Sequence, residues 1–199
     1  RVPGEVAKES ALERFERKKV LRRWEERREK AKKARFEALR GGIAPAPPKA
    51  ERTGEYVGLC ILIQFPDEPG TIPRSDVEDF CNKSGYNGFG NNGSVYDFFL
   101  DESAGRLRYT NIVTDYYTAK NPEEYYTDPA IPQGTRAREL IEEALADLKA
   151  KGFDFSRLSV DEEGYVYALN VFYAGSCPNN WAEGLWPHSW CLENPFVAD

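Results

Sequence analysis

Val57 to Phe65 is a nearly continuous apolar run containing Leu59, Ile61, Leu62 and Ile63, and it stops at Pro66-Asp67. A strand with one wet face alternates apolar and polar residues; a run without alternation is buried on both faces and needs packed layers on each side. The rest of the chain has to be organised around this strand. Ser75-x-x-Glu78 has the spacing of a capping box and predicts a short helix to about Asn82. A polar, glycine-rich loop follows from Ser84 to Gly93. Ser94, three residues before Asp97, predicts a second helix over 95–103, with Gly105 placed to end it in a left-handed conformation. Arg106 to Tyr117 alternates at Leu107, Tyr109, Asn111 and Val113 and predicts a strand with one wet face. Ala137, Leu140, Ile141, Ala144, Leu145 and Leu148 recur at helical spacing up to a stop at Gly152, and Tyr165 to Ala174 supplies a further strand. The order of strand, helices, strand, helix, strand predicts an α/β or α+β fold, with helices packed on a mixed sheet. Tyr116, Tyr117, Tyr125 and Tyr126 are expected at the sheet margin with hydroxyls in water, in preference to a stacking platform for sugar or nucleic acid.

The residues before this region are a different kind of polymer. Residues 1–53 carry 17 Lys/Arg against 9 Asp/Glu, net +8, while residues 54–199 carry 10 against 24, net -14. From Glu5 to Arg40 there is no glycine or proline, and Glu, Lys, Arg, Ala and Leu dominate, so residues 1–40 predict one long basic helix. Opposite charges four apart, as in Glu13/Arg17, Glu26/Lys30 and Glu29/Lys33, support it. Its apolar stripe, Leu12 and Phe15 and then Leu21, Trp24, Ala31 and Ala38, is too thin for a domain core. A solvated helix or a pro-segment lying over the acidic remainder outweighs a nucleic-acid binder, because Glu is interleaved throughout. Residues 41–53, Gly- and Pro-rich, form a linker.

Few chemical sites survive inspection. The 199 residues include one histidine, His188, so the two-histidine zinc helix His-Glu-x-x-His is absent. No apolar run reaches the roughly 18 to 20 residues that a membrane-spanning helix needs. The four cysteines, Cys60, Cys81, Cys177 and Cys191, lie 21, 96 and 14 positions apart, without the close pairs of structural zinc. Cys177 and Cys191 bracket a Trp- and Asn-rich loop that a disulfide would close, a reading left open here, and Cys60 is expected in the core. The sequons at Asn82 and Asn92 carry little weight. His188 near Cys191 or Ser189 lacks any residue to orient it as a base, so a structural or supporting histidine between Trp186 and Trp190 is the preferred reading. Asp161 and Glu163 precede a strand as calcium loops do, but the full loop pattern is missing, and turn acids facing solvent are the preferred account.

Several segments in order carry a resemblance. Leu59-Cys60-Ile61-Leu62-Ile63-Gln64-Phe65-Pro66-Asp67, Gly93-Ser94-Val95-Tyr96-Asp97-Phe98-Phe99, Ser103-Ala104-Gly105-Arg106-Leu107, Phe153-Asp154-Phe155-Ser156, Asp161 through Tyr167, Tyr173-Ala174-Gly175 and Leu185-Trp186-Pro187-His188-Ser189-Trp190 resemble landmarks of the immune inhibitor A-type secreted zinc metallopeptidases, over roughly residues 55 to 194. The resemblance implies a zincin-like amino-terminal lobe, secreted or cell-surface location, a peptide or protein substrate met along an edge strand, and zinc held by a His-Glu-x-x-His helix farther along. It implies no catalytic or metal-binding residue within this sequence. Family members often show denser aspartates before the strand at Tyr165; Ser159, Asp161, Glu163 and Tyr167 stand here, which weakens any calcium site.

The resulting expectation is the amino-terminal part of a longer exported endopeptidase: residues 1–40 a pro-segment, 41–53 a linker and 54–199 a truncated catalytic-domain piece, inactive alone. The attraction of +8 for -14 should weaken with salt. The rival classes are a non-catalytic exported binding or adhesion module and, third, a basic helical nucleic-acid binder.

Overall fold

A computed structural model describes residues 29, 33, 53–132, 134–179, 183–187, 192 and 195–198. These belong to two separate units, the larger holding 53–187 and Ala198. Of the smaller, Glu29 and Lys33 are helical and exposed; the remainder of the expected basic helix and the linker to Arg52 lie outside the described residues.

In the larger unit the apolar run becomes β1, Gly54–Gln64, whose Leu59 to Ile63 are at most 2% exposed. Burying each such aliphatic side chain is worth roughly 1.5 to 3 kcal/mol. The strand lies centrally between β2, Leu107–Thr118, and β3, Leu169–Tyr173, and pairs parallel with both. The described sheet is thus parallel throughout, where the sequence predicts a mixed one. Helical crossovers explain this, since each connection returns the chain to the same end of the sheet before the next strand starts.

The first crossover contains α1, Arg74–Asn82, and α2, Val95–Glu102; the second contains α3, Glu123–Thr127, and α4, Thr135–Ala150. Because crossovers are right-handed, reversing the direction of travel across β1 should place the two helix pairs on opposite faces. The contacts agree. Val77, Phe80 and Cys81 of α1 pack with Cys60, Leu62, Val113 and Tyr116, whereas Tyr117, paired with Ile63, turns toward Glu143 and Asp147 of α4.

A bulge in β2 separates the two tyrosines. Cys60 pairs with Val113 but Leu62 with Tyr116, so β2 holds one extra residue. The Thr114 hydroxyl accepts the Leu62 amide at 3.2 Å, replacing the ladder bond that the bulge interrupts.

Helix ends follow local chemistry with one correction. Ser94 caps α2 as expected, its hydroxyl accepting the Asp97 amide at 3.0 Å while the Asp97 carboxylate accepts the Ser94 amide at 2.9 Å. Ser75 caps nothing. Pro73 begins α1 two residues earlier, and Glu78 turns outward to Arg74 at 3.3 Å. Gly105 is left-handed at φ 78°, but Ala104 shares that conformation at φ 53°.

Strand β3 is shorter than the predicted Tyr165 to Ala174. The Asp161 carboxylate accepts the amides of Glu163 and Tyr165, both at 3.0 Å, and Val166 bridges antiparallel to Val160. Residues 165–167 therefore close a small hairpin, and the ladder with β1 starts at Leu169.

Candidate functional site

The carboxyl ends of the three strands bring together groups that are far apart in sequence. After β1, a tight turn pairs Phe65 and Glu68 through reciprocal backbone bonds of 3.0 and 3.2 Å, which projects Asp67 outward. After β2, α3 begins, and its first amide, Glu123 N–H, donates to the Asp67 carboxylate at 3.0 Å. After β3 comes Gly175, left-handed at φ 91°, where a Cβ would lie 2.5 Å from Cγ of Glu68 and 3.3 Å from Oε1 of Glu123. Only glycine lets the carboxylates approach this loop so closely. Glu123 titrates above the ordinary carboxyl range, through burial first and then the charges of Glu68 and Asp67. Its buried Oε1 has no hydrogen-bond partner.

Beside these carboxylates lies the segment bearing Trp186. The Tyr173 hydroxyl, at the end of β3, donates to the Leu185 carbonyl at 2.9 Å. Asn179, 7% exposed, accepts the Leu185 amide at 3.0 Å and donates to the Thr127 carbonyl at the end of α3 at 2.7 Å. One buried amide side chain thus ties the Leu185-Trp186 backbone to α3. Burial, and then the neighbouring Cys177 thiol, push the Tyr173 phenol up.

A second polar centre supports α3 from behind. Tyr126, fully buried, donates its hydroxyl to Glu143 of α4 at 2.5 Å, and Lys120 reaches the other oxygen of Glu143 at 3.5 Å. Burial followed by the Glu143 hydrogen bond pushes Tyr126 up to about 12. The expectation of tyrosine hydroxyls in water therefore fails for the buried Tyr126, while the half-buried Tyr116 and Tyr125 add protein partners through exposed hydrogen bonds. Tyr126 donates to Glu143, Tyr116 donates to the Ile72 carbonyl at 3.0 Å, and Tyr125 donates to Glu139 at 3.0 Å. A partly or wholly buried phenol needs a protein partner for its proton.

Of the residues singled out in the sequence, Trp186 is half-buried beside this edge, its amide donating to the Glu183 carbonyl at 3.0 Å. His188, Trp190 and Cys191 lie outside the described residues. Cys177 is exposed, its Sγ 3.8 Å from the Asn179 carbonyl. Asp161 and Glu163 sit at the opposite end of the sheet, in the hairpin whose Ser159 joins Val57 near the start of β1. Sequence reasoning passed over Asp67, Glu68, Glu123 and Asn179. Pro66-Asp67 was legible as a strand stop, but nothing local tells that Glu123 and Gly175 meet it.

The chain's own residues do not make up the zinc site that the resemblance implies. There is one histidine in the sequence, and among the described residues no group of three His, Cys, Asp or Glu side chains is disposed to hold a metal ion. No helix among them is long and apolar enough to cross a membrane. Comparison with known proteins finds no family model and no curated protein that matches the chain.

Proposed function

We propose that residues 54–199 are the amino-terminal lobe of a secreted zinc-dependent endopeptidase of the immune inhibitor A type, whose zinc ligands lie in sequence beyond this chain. The observation that carries the reading is where the resembling segments fall. Leu59 to Asp67 is the central strand and its turn, and Gly93 to Phe99 is the cap and body of α2. Tyr173 to Gly175 closes β3, and Leu185-Trp186 is the backbone held by Tyr173 and Asn179. Three of these segments converge on the carboxyl edge, where open parallel α/β sheets gather their ligands.

In this reading the chain contributes a scaffold. Asn179 and Tyr173 orient the backbone leading into His188. An outer strand is available to an extended peptide through main-chain hydrogen bonds; β2 and β3 are the outer strands among the described residues. The chain supplies no catalytic group, and the basic residues 1–40 act as its pro-segment.

The test compares this chain with the product of the longer reading frame, each assayed for bound zinc and for cleavage of a denatured protein. The longer product should hold one zinc per molecule and cleave, with this chain doing neither. Tightly held zinc and cleavage by residues 1–199 alone would overturn the proposal, and so would a continuation without a His-Glu-x-x-His helix.

A further inference from the structure

Two of the four cysteines meet inside the fold. Cys60, on the central strand, is 0% exposed, and Cys81, near the end of α1, is 1% exposed; both belong to one core cluster with Leu62 and Val113. Both are free thiols in this structure, and the neighbouring Cys81 thiol, with burial, pushes the Cys60 thiol far above its ordinary range. The pair lies where a short helix meets the central strand. Helix α1 has nine residues and no side-chain N-cap bond, and Cys81 is its one buried residue. Four cysteines allow three pairings. Joining either buried cysteine to Cys177, which is exposed, would require drawing it out of the core.

We propose that Cys60 and Cys81 form a disulfide that staples α1 to the central strand. The oxidant is a small-molecule or protein disulfide of an exporting compartment. One cysteine thiolate attacks a sulfur of that disulfide and expels a thiolate; the second cysteine attacks the resulting mixed disulfide and expels the other. Two electrons pass to the oxidant, and the two cysteine protons end on its released thiols. Both sulfurs are shut away from an oxidant in the folded core, so the bond closes while the chain is folding. The location agrees with the exported character in the proposed function, but the readout is a sulfur linkage and stands apart from peptidase activity.

The experiment refolds the full chain from its reduced, unfolded state in a buffer of reduced and oxidised glutathione, alkylates residual thiols and digests without reduction for mass spectrometry. A peptide pair joined through Cys60 and Cys81 is expected. Alkylation of both residues, or linkage of either to Cys177 or Cys191, overturns the proposal. In a Cys177→Ala/Cys191→Ala background, reductant should lower Tm by roughly 10 °C, from the entropy of closing a loop of this length. With Cys60→Ala and Cys81→Ala added to that same background it should not. An unchanged Tm in the first background also overturns the staple, and the mapping on the unaltered sequence requires no variant to fold.

Discussion

The two ends of the three-stranded sheet bury polar groups of different kinds. In the amino half the groups are neutral. The Tyr109 hydroxyl donates to Asn111 Oδ1 at 2.8 Å, Asn170 Nδ2 lies 2.8 Å from both, and Asn82 and Asn111 exchange bonds of 2.8 and 2.9 Å. This lattice joins β2, β3 and α1 across β1, and it passes over Gly58, where any Cβ would collide with the Tyr109 hydroxyl. At the carboxyl end the groups are carboxylates: Glu143 beneath Tyr126, and Glu123 against Asp67 and Glu68. Neutral amides fix strand order without responding to pH. The raised Glu123 makes its end of the sheet dependent on protonation, the kind of perturbation that accompanies functional sites.

The largest expected effect breaks the neutral end. Gly58→Val drives its side chain into Tyr109 and disconnects Asn170 from Asn111, leaving buried amides unpaired; a loss of about 2 to 4 kcal/mol is expected in urea unfolding. A loss below 1 kcal/mol would mean that the lattice is not what holds β3 to the sheet. Next comes the carboxyl end. Tyr126→Phe strips a buried oxygen of Glu143 of its donor and should cost about 1 to 3 kcal/mol by the same measurement. If the variant were as stable as the parent, the tie between α3 and α4 would lie elsewhere.

The smallest effects sharpen the comparison through pH. Three backbone amides, of Ser94, Gly85 and Tyr86, hold the Asp97 carboxyl below its ordinary range, with Ser94 the largest influence. The unfolded chain then binds the proton more readily, so this contribution is present above the unfolded value and is lost as pH falls through the folded one. Glu123 is raised, and the sign reverses: the folded chain binds the proton more readily, and its cost grows as pH rises through the carboxyl range. In Tm measured from pH 7 downward, Asp97→Asn should start lower than the parent and converge with it in acid. Glu123→Gln should start higher and converge. Parallel curves for Glu123→Gln would show that the acidic edge places no penalty on the fold.

Local sequence was enough to place the elements whose signals are local. The run at Val57 to Phe65 became the central strand, buried from Gly58 to Ile63, the Ser94/Asp97 box became a true cap, and the spacing of Ala137 to Leu148 became α4 with Ala137, Leu140, Ala144 and Leu145 buried. The identical-looking signal at Ser75 failed because Pro73, preset in its backbone, started the helix first. Helix α3 was missed because its five residues are too few to show a period, and it is held from outside by Asp67 and Glu143.

Strand order, the parallel sense of pairing, the bulge that parts Tyr116 from Tyr117, and the meeting of Asp67, Glu68, Glu123 and Gly175 were decided only in three dimensions. So was the approach of Cys60 to Cys81. Hydrophobic period and capping depend on neighbours within about one helical turn and are written directly in the chain. Which carboxylates, amides or thiols face one another depends on how crossovers return strands to the sheet, and no window of sequence contains both partners.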